Sequence, residues 1–152
     1  MKTIWFDLDG CLVDLYRVEN WLPKLRAYDP TPYADAAPML NMNTLARLLN
    51  KVQAAGWQIG IISWLSKDPD PDYGVAVTRA KKRWLNMHLT SVSWDEINIV
   101  PYGEKKFYFK QTDFDILFDD EEENRNSWSA WGGNSYEPDK IFEILKMILM
   151  ED

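Results

Sequence analysis

Two short apolar runs in this chain each end in a pair of acids. Thr3-Ile4-Trp5-Phe6 runs into Asp7-Leu8-Asp9-Gly10, and Phe114-Asp115-Ile116-Leu117-Phe118 runs into Asp119-Asp120. A run this short and this apolar reads as a strand buried on both faces, as in a parallel sheet. Carboxylates where it emerges are badly placed for packing. They are well placed for a ligand, because open α/β sheets bind ligands just beyond the carboxyl ends of their strands. Two such ends would line one pocket with hard oxygens, a donor set that suits Mg²⁺ together with phosphate. Four bare acids there would repel one another, so a purely structural role for them is a poor reading.

Between and after these runs, strands alternate with helices. Leu45, Leu48, Leu49 and Val52 repeat at helical spacing, and Gly56 stands where a helix from Asn43 would stop. Trp57–Ile62 reads as a second buried strand ending at Ser63. A Pro/Asp-rich loop over 66–74 follows, then a helix over Val75–Met87 with Ala76, Ala80, Trp84 and Met87 on one face. Ile97–Val100 is a third strand, Pro101-Tyr102-Gly103 a turn, and a short helix starts near Glu104. Phe114–Phe118 is the fourth strand. A helix over 121–130, a turn at Gly132-Gly133 and a helix over Pro138–Met150 complete the chain. The pattern predicts an α/β, three-layer, Rossmann-like parallel sheet with helices on both faces. Residues 14–40 break it. They carry Pro23, Pro30, Pro32 and Pro38 and read as loop, with one short helix possible between Arg17 and Tyr28.

At 152 residues the chain is long enough for a single domain, 1–152, with the stretch 14–40 as a small insertion. A net charge of -7 opposes extended nucleic acid or an anionic membrane as main partner, but not a small phosphorylated molecule next to a metal and a lysine. Cys11 is the only cysteine, so no disulfide forms within the chain; a small packed residue is the simplest reading of it. The first residues lack a signal-peptide pattern, and no apolar run approaches the ~20 residues that span a bilayer. A soluble cytoplasmic protein is the expectation, with a homo-oligomer open to it. A calcium loop starting at Asp7 fails on spacing, because Leu12 and Val18 stand where Gly and Glu are needed.

The ordered set closely resembles the haloacid dehalogenase-like phosphohydrolase superfamily, over nearly the whole chain apart from 14–40. A strand ending in D-x-D is matched by Asp7 and Asp9, a strand ending in Ser or Thr by Ser63, and a strand ending in paired acids by Asp119 and Asp120. The family's lysine is matched less specifically. Lys106, three residues after Gly103, is favoured over Lys105, while Lys81 and Lys82 read as the solvated face of their helix.

The resemblance implies a Mg²⁺-dependent phosphomonoesterase. Asp7 would be the nucleophile that forms an aspartyl-phosphate, and Asp9 the general acid and then base. Ser63 and Lys106 would bind the transferring phosphoryl group. Asp7, the backbone carbonyl of Asp9, and Asp120 supported by Asp119 would bind the metal. The dehalogenase branch lacks the second aspartate of D-x-D, so Asp9 favours phosphoryl transfer over carbon–halogen chemistry. The insertion occupies the place of the family's cap and is very small. Its Tyr16, Trp21, Tyr28 and Tyr33 either tether it to the core or stack on a base or sugar.

A nucleotide or other small phosphate ester is the leading substrate class. A macromolecular substrate, either a phosphoprotein or a nucleic-acid end, is the alternative, and a non-catalytic phosphate- or metal-binding module is the third reading. His88 reads as an ordinary surface or helix-end residue and Asp14 as a loop or capping residue. Glu121, Glu122 and Glu123 read as an acidic helix start, and Asn124 and Arg125 as potential rim residues.

Overall fold

Strand β1 (Thr3–Phe6) is buried along its whole length and lies at the centre of a five-stranded sheet. The computed structural model describes residues 1–67 and 70–151. Around β1 lie β2 (Gln58–Trp64), β3 (Glu96–Val100), β4 (Ile116–Phe118) and β5 (Asn134–Tyr136), all parallel, in the order β3-β2-β1-β4-β5. The helices are α1 (Trp21–Arg26), α2 (Thr31–Asp35), α3 (Met42–Ala54), α4 (Pro71–His88), α5 (Glu122–Ala130) and α6 (Ile141–Glu151). Among the described residues no helix is long and apolar enough to cross a membrane.

Alternate residues of each strand build opposite faces, which is why the runs are apolar throughout. Ile4, Phe6, Ile59, Ile61, Ile116 and Phe118 pack against Leu45, Leu49 and Val52 of α3, Trp84 and Leu85 of α4, and Ile141 and Leu145 of α6. Trp5, Ile62 and Leu117 face the other way, onto Trp128 of α5 with Phe107 and Phe109. Each fully buried side chain among these contributes roughly 1.5–3 kcal/mol over an exposed one, and Phe107 and Phe109 are partly buried. The result is the three-layer α/β architecture that the alternating pattern predicts.

Trp5 explains two neighbours. It lies opposite Gly60 across the β1–β2 pair, and a Cβ on Gly60 would collide with the indole ring. Its Nε1 donates to Asp115 Oδ2 at 3.1 Å. Asp115 is fully buried and also accepts from the backbone N–H of Thr3 (3.0 Å), the backbone N–H of Gln111 (2.8 Å) and the Thr112 hydroxyl (2.8 Å). Such a set of donors replaces the water a buried carboxylate loses. The fourth strand therefore starts at Ile116, after this clamp, and not at Phe114, which is exposed.

Local signals account for the helix ends. Asn41 Oδ1 caps α3 by accepting from Thr44 N at 2.9 Å. At its far end Gly56 N bonds to Gln53 O, and Trp57 N to Val52 O, with Gly56 at φ +100°. This is a Schellman ending that only glycine adopts without strain. Asp70 caps α4 through Tyr73 N at 2.8 Å, and Pro71 takes the first turn. The loop expected over 66–74 is thus shorter. Its residues 68 and 69 lie outside the described residues, and from Pro71 the chain is helical.

The earlier start turns α4 relative to the face expected for it. Its buried residues are Tyr73, Val77, Ala80, Lys81, Trp84 and Leu85, while Met87 is exposed. Residues 14–40 hold two short helices where one was expected, and α2 packs on α4. The two ends of this stretch are joined, Asp14 N to Ala37 O at 2.8 Å and Met39 N to Leu12 O at 2.9 Å.

Candidate active site

Strands β1, β2 and β4 deliver their carboxyl ends to one edge of the sheet, and the acids gather there. Asp7 follows β1 directly, and its N–H donates to Phe118 O at 2.9 Å, which levels it with the end of β4. The chain then folds back sharply, with the N–H groups of Cys11, Leu12 and Val13 all donating to Leu8 O. Gly10 makes this turn at φ +79°, and a Cβ there would collide with the Asp120 carboxylate. The D-x-D-G string therefore needs its glycine for both conformation and space.

Carboxylate oxygens of Asp7, Asp119 and Asp120 lie within 4.8 Å of one another. Lys106, the first residue of a 3-10 turn over Lys106–Phe109, sends its Nζ to Asp7 Oδ1 (3.0 Å) and Asp119 Oδ2 (2.7 Å). Lys105 beside it is exposed. Burial alone would lower the Lys106 ammonium pKa, but the facing carboxylates of Asp7 and then Asp119 outweigh it, so the group is held protonated. Asp119 is fully buried and accepts further from Glu121 N (2.9 Å) and Asn124 Nδ2 (3.2 Å), while Arg125 donates to its backbone carbonyl at 3.0 Å. Asn124 and Arg125 thus support Asp119 directly. Asp120 is half-buried; burial and the nearby Asp7 push its carboxyl up to about 8. Burial pushes the Cys11 thiol well above its ordinary value, with Asp7 adding to it, and its Sγ lies 3.6 Å from Phe118 O. Such a thiol is a packed group and a poor nucleophile.

Asp9 stands apart from the three-acid cluster because a second lysine holds it. Lys81 of α4 is 2% exposed, and its Nζ reaches Asp9 Oδ2 (2.9 Å), Ser63 Oγ (2.8 Å) and Trp64 O (2.6 Å). The expectation that Lys81 lies on a solvated face is wrong. The sequence did carry a signal: with α4 starting at Pro71, Lys81 falls four residues after Val77 and four before Leu85, inside the apolar stripe. Lys82, one residue on, is exposed.

A cleft of about 530 Å³ opens above this floor. Asp7, Asp9, Lys106, Asp119 and Asp120 line its base, and α1 covers one side with Trp21, Leu25 and Arg26. Tyr16 packs edge-on to Trp21 at 5.0 Å on that side, and Trp64 packs on Tyr102 at 5.0 Å on the other. Tyr33 is buried and lies over Lys81 Nζ at 5.0 Å, so it tethers the insertion to α4. Tyr28 packs on Tyr73 at 5.5 Å and is likewise part of that attachment.

No protein-family profile matches the sequence, and a search of curated proteins finds no significant match. Solved structures do match in shape. The D,D-heptose 1,7-bisphosphate phosphatase of Burkholderia thailandensis aligns over 88% of this chain and 75% of its own, at 12% identity and a TM-score of 0.54. The enzyme of the same name from B. bronchiseptica, solved with magnesium and phosphate, aligns over 100% of both chains, at 14% identity and a TM-score of 0.61. These are likenesses of fold: the chain shares the α/β fold of these two phosphatases.

Proposed function

We propose that this protein is a Mg²⁺-dependent phosphohydrolase that cleaves phosphate monoesters through an aspartyl-phosphate on Asp7. The observation that carries this reading is the meeting, in one cleft, of the Asp7, Asp119 and Asp120 carboxylates with Lys106, while Asp9 is held separately beside Ser63. The donor set fits Mg²⁺: three hard carboxylates within 4.8 Å face Lys106, and burial together with the facing Asp7 raises the Asp120 carboxyl to about 8. Asp7, Asp120 and the Asp9 backbone carbonyl would hold the ion, with Asp119 in support. Mg²⁺, when bound, supplies charge that lets an anionic nucleophile approach an anionic phosphate.

The chain's own groups then divide the work. An Asp7 oxygen attacks phosphorus as the ester oxygen departs, and Asp9 gives that oxygen its proton. Asp9 next takes a proton from the water that attacks the aspartyl-phosphate, releasing inorganic phosphate and restoring Asp7. Ser63 and Lys106 donate to the phosphoryl oxygens, where charge is redistributed in the transition state. The purified protein with Mg²⁺ is expected to hydrolyse p-nitrophenyl phosphate, and Asp7→Asn to abolish turnover. Equal rates for the two would overturn the assignment.

A nucleotide or similarly small phosphate ester is the substrate class the cleft favours. Its size suits a drug-sized ligand, the Tyr16–Trp21 and Trp64–Tyr102 pairs offer ring faces, and Arg26 and Lys67 add positive charge above the acidic floor. One observation favours a longer substrate. A second cleft shares Leu65, Ser66, Lys67 and Tyr102 with the first and continues to Arg79 and Lys82. Comparing a mononucleotide with the same nucleotide at the phosphorylated end of an oligonucleotide separates the two readings, the higher kcat/KM naming the class.

A further inference from the structure

Lys81 takes no part in the reaction set out above, yet it is buried and all its donors are engaged. An ammonium has three N–H groups, and they are met by Asp9 Oδ2, Ser63 Oγ and Trp64 O. Stability alone is a poor reason to place it there, because burying a lysine costs desolvation that an apolar residue of similar volume avoids. We infer that Lys81 is a positioning residue for phosphoryl transfer, fixing the Asp9 carboxylate and aiming the Ser63 hydroxyl proton at the phosphoryl group. This rests on the phosphohydrolase reading of the site.

Two details of the hydrogen bonding carry the inference. A serine hydroxyl has one proton and two acceptor positions. With the ammonium of Lys81 donating to Oγ, the Ser63 proton cannot point back at Lys81. Ser63 is fully buried, and its O–H finds no acceptor among the described residues. A phosphoryl oxygen would provide one. In Asp9, Lys81 holds Oδ2, while Oδ1 is buried and has no hydrogen-bond partner among the described residues. An unpartnered buried oxygen is costly unless something in the working protein uses it. The division leaves Oδ1 as the atom that gives its proton to the departing ester oxygen as the bond to phosphorus breaks. It is also the atom that later receives the proton of the attacking water. Lys81 thus separates the anchored oxygen from the working one.

The structure around Lys81 keeps it in place. Val77, Trp84 and Leu85 flank it along α4, Trp84 Nε1 donates to Ala36 O at 2.8 Å, and Tyr33 stacks over its Nζ. The same helix face therefore holds both the lysine and the insertion that covers the cleft.

The test is a double-mutant cycle of Lys81→Met and Ser63→Ala in the Mg²⁺-loaded full chain, assayed on p-nitrophenyl phosphate and on an alkyl phosphate. Lys81→Met is expected to lower kcat on the alkyl ester by about 100-fold, the scale of lost general acid catalysis. The loss on p-nitrophenyl phosphate is expected to be smaller, because nitrophenolate leaves without a proton. Ser63→Ala is expected to cost activity in the wild-type background and almost none beside Lys81→Met. Lys81→Arg keeps the charge but cannot place its donors on the same three oxygens; it is expected to show the same two signatures, and it serves if the methionine variant does not fold. Equal losses on both esters together with additive effects would overturn the role of Lys81 while leaving an active, Asp7-dependent enzyme. A wild type without turnover, or one matched by Asp7→Asn, would instead overturn the phosphohydrolase reading.

Discussion

Replacing Asp120 by Asn is expected to stabilise the protein in EDTA while destroying its response to Mg²⁺. Asp120 shares a cluster no wider than 4.8 Å with Asp7 and Asp119, and Lys106 forms ion pairs with the latter two. Two unit charges no more than 4.8 Å apart repel by about 3.5 kcal/mol or more at an effective dielectric near 20. Asp120 faces two carboxylates, the nearby lysine offsets part of this, and water screens a half-exposed group, so about 2 kcal/mol is the expected gain. For a chain of this size that corresponds to a rise in Tm of roughly 4–8 °C.

The pH dependence fixes the sign. Asp120 has its pKa raised on folding, to about 8, so the folded state binds its proton more tightly than the unfolded one. The penalty is therefore absent below the ordinary carboxylate range, grows as pH rises through that range, and levels off above about 8. The advantage of Asp120→Asn should follow the same course, small at pH 5 and full near pH 8.5. Thermal melts of both proteins across that range, in EDTA and in millimolar Mg²⁺, are the assay. Mg²⁺ should raise the Tm of the wild type and leave the variant almost unmoved. An Asp120→Asn protein less stable than wild type in EDTA at pH 8.5, or one equally stabilised by Mg²⁺, would refute the reasoning.

Two further outcomes follow from the same edge of the sheet. Lys106→Met removes the one cation that bridges Asp7 and Asp119 among the described residues, so urea unfolding in EDTA should show a loss of about 3–5 kcal/mol, and saturating Mg²⁺ should recover part of it; unchanged stability would contradict the pairing. Gly10→Ala forces a left-handed residue to carry a Cβ where the Asp120 carboxylate lies. It should cost about 1–2 kcal/mol in backbone strain and weaken Mg²⁺ binding about tenfold by calorimetry; an unaltered Mg²⁺ affinity would show that Asp120 does not bind the ion.

What could be read in the sequence was what depends on short apolar runs and their ends. β1, β2 and the acids after β1 and β4 are of this kind, because strands buried on both faces leave an unbroken apolar signature and a charge at the end stands out. β5 left no such trace: Asn134-Ser135-Tyr136 is a short edge strand, held through Ile116 to Phe118 and without an apolar run of its own. Helix α2 was hidden by its prolines, although Pro32 sits in the first turn, where a proline is tolerated. Lys81 was missed because a lysine on a helix is usually solvated, and the α4 stripe that contains it emerges only when the helix is started at its Asp70-Pro71 cap. Asp115 was read as one more strand residue, since nothing local distinguishes a carboxylate that the distant Thr3 and Trp5 will satisfy.

That clamp on Asp115 lies at the entrance of the sheet, whereas the proposed active site lies at its exit. Thr3 and Asp7 are four residues apart, or about 13 Å along a strand. By taking bonds from Thr3 and Trp5 of β1, the carboxylate fixes which residue of β4 stands beside which residue of β1. Neighbouring strands can slide only in whole residues, and a slide of one would turn Phe118 outward and carry Asp119 and Asp120 to the wrong faces. The alignment of Asp7 with Asp119 and Asp120 is thus decided remotely, like the travel of a drawer set by its rails. A substitution at the clamp would misalign the proposed reacting groups without any change at Asp7, Asp119 or Asp120 themselves.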